Sequence, residues 1–190
     1  DFIFSEVNRI KSKIGAPPKI LNLFAYTGAA SLAAKCAGAD VTHLDSVRQV
    51  VTWAKGNMEL SGLDNIRWVI EDALKFVKRE ARRGNIYQGV IMDPPAYGHG
   101  PDGEKWKLDE LLYEFLAEVN TIVDKNSSFV VLNLYSNGYS AVLAETLINT
   151  SFSLKQEDKG KSYSLTFGEL MLKDKFEKAL PLSVFVRLSR

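Results

Sequence analysis

Three aspartates stand where short apolar runs end: Asp45 after Val41-Thr-His-Leu, Asp72 after Ile66-Arg-Trp-Val-Ile-Glu, and Asp93 after Tyr87 to Met92. A further run, Ile20-Leu-Asn-Leu-Phe24, ends instead in the small-residue turn Ala25-Tyr-Thr-Gly28. An ionised carboxylate is an acceptor with lone pairs for more than one donor, so each acid suits a group that offers hydroxyl or amino protons. Asp93 differs in being followed by Pro94 and Pro95. Each proline fixes its own φ and holds the preceding residue extended, so this corner is stiff and can aim the Asp93 side chain. Gly28 permits a positive φ or a close backbone approach at the mouth of the next helix. For Asp72 a second reading stands beside ligand binding, since aspartate is favoured as a helix N-cap.

These residues share a site only if the runs are neighbouring parallel strands, whose carboxyl ends form the ligand crevice of an open α/β sheet. The intervening segments have helical periodicity. Val7, Ile10 and Ile14 share a face of a helix over 5–14 capped by Ser5 and stopped by Gly15-Ala-Pro-Pro18. Small residues fill a helix over 29–37, and Cys36 on it reads as core filler, about 12 Å along the axis from the ligand-facing end. Helices over 47–60 and 72–83 follow. The latter carries Lys75, Lys78, Arg79, Arg82 and Arg83, either a solvated face or a contact for nucleic-acid phosphates. His43, inside the second strand, reads as structural.

The stretch 93–106 holds three prolines and three glycines and is expected to be an irregular loop, long for a strand-to-helix connection and so functional. An amphipathic helix over 108–123, a fifth strand over 128–134 and a helix over 141–148 complete the alternation. Tyr163, Leu165 and Phe167 then alternate, Leu170 and Leu172 are out of phase with them, and Leu182, Val184, Val186 and Leu188 alternate again. This predicts an antiparallel hairpin with a bulge near Gly168.

The phrases Asn22-Leu-Phe-Ala-Tyr-Thr-Gly28, Asp93-Pro-Pro-Ala-Tyr97 and Trp53-Ala-Lys-Gly-Asn57 make the chain resemble a class I S-adenosylmethionine-dependent methyltransferase. More narrowly, it resembles the catalytic domain of the ribosomal RNA large-subunit methyltransferase I-like group, from about Ile20 to the last strand. The resemblance implies a Rossmann-like α/β fold, a seven-stranded sheet of order 3-2-1-4-5-7-6 with helices on both faces and an antiparallel C-terminal hairpin. It implies S-adenosylmethionine as cofactor, held by Phe24, Tyr26, Thr27, Gly28, Asp45, Ser46, Asn57, Asp72, Ala73 and Asp93. In this reading Asp45 accepts from the ribose hydroxyls and Asp72 from the adenine amino group. Phe24 serves equally well as core packing. Asp93, Pro94, Pro95 and Tyr97 are implied to act on the substrate, Tyr97 by stacking on an extruded base or by closing the strand ends as a loop aromatic. No metal is implied.

Characterised members of the group modify cytosine C5 or guanine N7. Cytosine C5 needs a thiolate at C6 before it is nucleophilic, and the cytosine-modifying relatives supply a cysteine just after the fifth strand. Here that position is Ser136, followed by Asn137, and the pair resembles the guanine N7 relatives. Methylation of a base nitrogen is therefore expected. A nicotinamide dehydrogenase shares such a sheet but needs Gly-x-Gly-x-x-Gly for its pyrophosphate, whereas this turn has a single glycine. Other readings are a methyltransferase for a protein side chain or small molecule, and an inactive cofactor-binding scaffold.

With 190 residues and 46% hydrophobic content the chain suits one domain. It begins at Asp1 rather than Met, and is expected to lack an N-terminal region that relatives carry. Because 24 basic and 23 acidic residues nearly cancel, an RNA surface must come from local clustering. A single cysteine excludes an intrachain disulfide, and no run of about 18 apolar residues suggests a membrane span. Ribosomal RNA as partner and a cytoplasmic location are the expectations.

Overall fold

The computed structural model describes residues 1–136, 138–154 and 163–190. Asn137 therefore lies outside the described residues. Six helices and nine strands follow in chain order among the described residues: α1 (Phe2–Ile14), β1 (Lys19–Leu23), α2 (Ala29–Cys36), β2 (Asp40–Asp45), α3 (Arg48–Leu60), β3 (Ile66–Ile70), α4 (Ala73–Arg82), β4 (Gly89–Met92), β5 (Tyr97–His99), β6 (Lys105–Lys107), α5 (Leu108–Ile122), β7 (Phe129–Leu134), α6 (Ala141–Ser151), β8 (Ser164–Lys173) and β9 (Ala179–Ser189). Seven strands form one sheet in the order β3-β2-β1-β4-β7-β9-β8. The β3 to β7 part is parallel, while β9 is antiparallel to both β7 and β8.

This order differs in its numbering from the expected 3-2-1-4-5-7-6, because the stretch after Asp93 holds two more strands. β5 and β6 pair as a separate antiparallel ribbon, with Tyr97 opposite Lys107 and His99 opposite Lys105. Three of the six glycines and prolines of this stretch lie in its tip, Gly100-Pro-Asp-Gly103, a turn composition with a mechanism, while Pro94 and Pro95 precede the ribbon and Gly98 lies within β5.

Apolar residues of the strands alternate between two cores. Ile20, Val41, Ile66, Ile91, Phe129 and Val131 pack with α1, α2 and Met58 of α3. On the other face Leu21, Leu23, Leu44, Val90, Met92, Val130 and Leu132 pack with α4, α5 and α6. Helices therefore cover both faces, as strands buried on both sides require. At the sheet centre, register partners Ile20, Gly89 and Phe129 lie side by side. A β-carbon on Gly89 would come within 2.5 Å of Ile20 Cδ1 and of the Phe129 ring, so only glycine fits.

Three local expectations are corrected. α1 begins at Phe2 rather than Ser5, since Phe2 packs edge-on against Phe129, with ring centroids 6.0 Å apart, and extends the apolar stripe one turn earlier. Cys36 is exposed, not core. Ser31 and Ala34 face the sheet, and a residue two positions past Ala34 is turned about 200° away from it. The register shift of the hairpin falls between Leu170 and Met171, opposite Ser183 and Pro181, and leaves Leu182 as the extra residue on β9. Pro181 has no N–H for the ladder. Gly168 instead leaves room for the Phe185 ring, which a β-carbon would meet at 3.4 Å.

Candidate active site at the strand ends

The chain order reverses between β1 and β4, so the crevice outside their carboxyl ends is the expected ligand site of this topology. β1 enters it through a contorted turn. Phe24 (φ 54°) and Tyr26 (φ 47°) are left-handed, and Gly28 (φ 91°) caps α2. Two non-glycine residues in that region cost on the order of 1–2 kcal/mol each, so the turn must be held by its surroundings. Asp45 holds it from β2. One carboxylate oxygen accepts from the Tyr26 backbone N–H at 2.9 Å and the other from the Val47 backbone N–H at 3.0 Å. Asn57 of α3 donates its side-chain N–H to the Thr27 carbonyl at 3.0 Å, and the Ala25 N–H donates to the Leu44 carbonyl at 3.0 Å. Asn57 thus supports the loop.

Beneath the turn lies a buried polar network that the sequence reading missed apart from its histidine. Asn22 donates to Ser31 Oγ at 2.9 Å, and Ser31 Oγ lies 3.0 Å from His43 Nδ1. Asn22 and His43 are register partners on β1 and β2. The His43 ring also packs on Trp68, with centroids 4.7 Å apart. Burial lowers its pKa to about 4, so it is neutral at pH 7. The site of Gly28 is shaped by the same group: a β-carbon there would stand 3.2 Å from Ala54 Cβ and 3.5 Å from His43 Cε1.

Asp72 caps α4, accepting from the Lys75 backbone N–H at 2.8 Å, so the N-cap reading is realised. It also lines a cavity of about 30 Å³ with Phe24, Ser46, Ala73, Pro95, His99 and Trp106. Ser46, Asp72, Ala73, Phe24 and Pro95 are thus brought together. The β5–β6 ribbon lies over them: Trp106 donates from its indole N–H to the Pro95 carbonyl at 2.7 Å, and its ring sits 4.9 Å from Phe24 and 5.3 Å from Phe115. Phe24 also meets Phe115 at 5.6 Å, so it serves the core as well as the cavity wall. Lys75 ties the ribbon to α4 through Asp102 at 2.9 Å and Glu104 at 3.0 Å.

Asp93 is exposed at the end of β4, yet the atoms crowded around its carboxyl raise its pKa above the ordinary range. Burial, and after it the Asp93 charge, raise the Tyr135 hydroxyl above its ordinary range. Pro94 is buried. Tyr97 is half-exposed, and its hydroxyl meets His99 Nε2 at 3.0 Å. The Ser136 hydroxyl is buried without a hydrogen-bond partner among the described residues.

The basic face of α4 is mostly spent on pairs. Lys78 meets Glu114, Arg79 meets Glu71 and Arg83 meets Glu80, beside the Lys75 pairs. A larger groove of about 630 Å³ runs between α4 and α5, lined by Lys78, Arg82, Lys105 and Leu111, and touches the strand-end site only at Asp72. Among the described residues, no group of three or more His, Cys, Asp or Glu could hold a metal ion, and no helix is long and apolar enough to cross a membrane.

The chain is similar to two curated ribosomal RNA large subunit methyltransferases. With methyltransferase K/L of Shewanella frigidimarina it is 30% identical over 118 residues, 60% of this chain and 16% of the relative. With methyltransferase K of Neisseria meningitidis serogroup B it is 24% identical over 166 residues, 83% of this chain and 45% of the relative. The chain thus spans less than half the length of either. Among solved structures, a SAM-dependent methyltransferase from Agrobacterium tumefaciens aligns with a TM-score of 0.87 at 34% identity, over 98% of this chain and 60% of that one. SMU.776, a putative methyltransferase solved with SAH, aligns with a TM-score of 0.73 at 20% identity, over 98% and 48% of the two chains, a likeness of fold. Residues 4–135 match the family described as conserved hypothetical protein 95, and the chain, with its methyltransferase-type α/β sheet, belongs to that family.

Proposed function

We propose that this chain is the S-adenosylmethionine-binding domain of a methyltransferase that acts on a base nitrogen in ribosomal RNA, in the cytoplasm. The observation that carries it is Asp45. Each of its oxygens is pinned by one backbone N–H and keeps lone pairs for a pair of hydroxyls. Asp72, also anchored through one backbone N–H, stands ready for an amino group. The single-glycine turn suits a cofactor without phosphates. Phe24, Tyr26, Thr27, Gly28, Ser46, Asn57 and Ala73 would hold or support the same ligand. The ribosomal RNA substrate comes from the names of the two curated relatives.

S-adenosylmethionine, when bound, supplies a methyl group on an electrophilic sulfonium. The chain's own residues then have to position the nucleophile. The stiff Asp93-Pro94-Pro95 corner holds an acceptor at the end of β4, where it can fix an amino or imino edge of the base. Tyr97 offers a half-exposed ring for stacking, and its bond to His99 sets the ring's orientation. A ring nitrogen such as guanine N7 already has its lone pair in the ring plane, so no thiolate is needed. Ser136 at the end of β7 and the exposed Cys36 at the far end of α2 agree with that route.

The test is nucleoside mass spectrometry of ribosomal RNA incubated with the protein and S-adenosylmethionine. A methylated ring nitrogen, lost in Asp93→Ala while cofactor affinity is kept, is the expected result. Formation of 5-methylcytosine that survives in Cys36→Ala would overturn the assignment to nitrogen.

A further inference from the structure

β8 closes the sheet on one side, and among the described residues its outer edge has no neighbouring strand. It spans Ser164–Lys173 without proline, and the extra residue of the hairpin lies on β9, so β8 itself is uninterrupted. Natural sheets usually blunt such an edge with short strands, bulges or a covering element, because its free N–H and C=O groups invite another strand. Here the turn-proximal half is also apolar and open: Met171, Leu172, Leu180 and Leu182 are each more than half exposed, and Phe176 at the turn is 70% exposed.

The order of side chains selects the partner. An antiparallel pairing of β8 with itself, about a two-fold axis at Met171, sets Glu169 against Lys173 and Lys173 against Glu169. On the opposite face it sets Leu170 against Leu172, twice, beside Leu180, the register partner of Leu172. Opposed charges and apolar pairs each favour such a ladder. Moving the axis by one residue towards Leu170 puts Glu169 against Met171 and leaves both charges unmatched. In the single chain Lys173 pairs with Glu177 at 2.7 Å, but both side chains are exposed and such a pair is weak enough to exchange.

We propose that β8 is the interface for a second copy of this chain, joining the two sheets edge to edge through an isologous contact centred on Met171. Glu169 also lines a cavity of about 230 Å³ with Tyr135, Ser136 and Tyr139 at the end of β7. The partner's strand would run along the rim of that cavity, near the site where the substrate is expected.

Sedimentation equilibrium of the purified chain tests this, with circular dichroism confirming that each variant is folded. The wild type is expected to be a dimer. Glu169→Lys and Lys173→Glu each set like charges opposite one another, and should weaken association by about tenfold or more. The double variant restores the match and should restore the dimer. A wild-type chain that stays monomeric even at about 0.1 mM overturns the proposal. So does a dimer that ignores both single changes, or a double variant no better than the singles.

Discussion

The Asp45 carboxylate and the Tyr26 backbone N–H, 19 residues apart in the chain, meet at 2.9 Å. The contact joins the carboxyl end of β2 to the left-handed turn after β1, so the proposed ribose acceptor is also a brace. Asp45→Ala removes the acceptor and both backbone anchors. It should weaken S-adenosylhomocysteine binding by about 1–3 kcal/mol, the range for buried polar groups left unpaired. Titration calorimetry showing unchanged affinity would remove Asp45 from the site.

His43 gives the fold a pH dependence of known sign. Its folded pKa of about 4 lies below the ordinary 6.5, so between these values the unfolded chain binds a proton that the native one refuses. The contribution is complete above about pH 6.5, falls as the pH drops, and should amount to a loss of about 2 kcal/mol between pH 7 and pH 5. Urea unfolding at both pH values, with His43→Gln as the reference, measures it. Equal pH dependence in the two proteins would contradict the assignment.

Gly28→Ala should lower stability by about 1–2 kcal/mol, the cost of placing an alanine at a left-handed φ. Crowding against Ala54 Cβ, 3.2 Å from the new methyl, adds to it. Thermal unfolding reads the loss. A melting temperature equal to the wild type would mean that the turn relaxes freely.

The β5–β6 ribbon is latched by Lys75 to Asp102 and Glu104, all at the surface. Exposed pairs contribute little to global stability, while they hold the ribbon over the small cavity. Asp102→Asn with Glu104→Gln should therefore speed amide hydrogen exchange across residues 97–107 and leave the denaturation midpoint nearly unchanged. If exchange there is unaffected, Trp106 alone holds the ribbon.

Much of this arrangement was legible because parallel strands buried on both faces appear as unbroken apolar runs, and the residue that ends each run is conspicuous. Asp45, Asp72 and Asp93 were visible for that reason. The Asn22–Ser31–His43 network was not, since it depends on the lateral register of β1 and β2, which no local pattern encodes. The ribbon does have a signature in the sequence: Tyr97-Gly-His99 and Lys105-Trp-Lys107 alternate on either side of the turn residues Gly100-Pro-Asp-Gly103. Its aromatic contacts, Trp106 with Phe24 and Phe115, join residues far apart in sequence. The paired state of the α4 cations was likewise hidden, because Glu114 and Asp102 come from other elements.

The absent side chain at Gly89 acts as an alignment gauge for the carboxyl end of the sheet. If β4 slipped by one residue, Gln88 or Val90 would have to occupy the gap between Ile20 and the Phe129 ring, where even a β-carbon does not fit. The same slip would carry Asp93 about 3.3 Å along the strand direction and turn it to the other face. A residue with no side chain, at the opposite end of a four-residue strand, thus fixes the height at which Asp93 stands at the carboxyl end of the sheet.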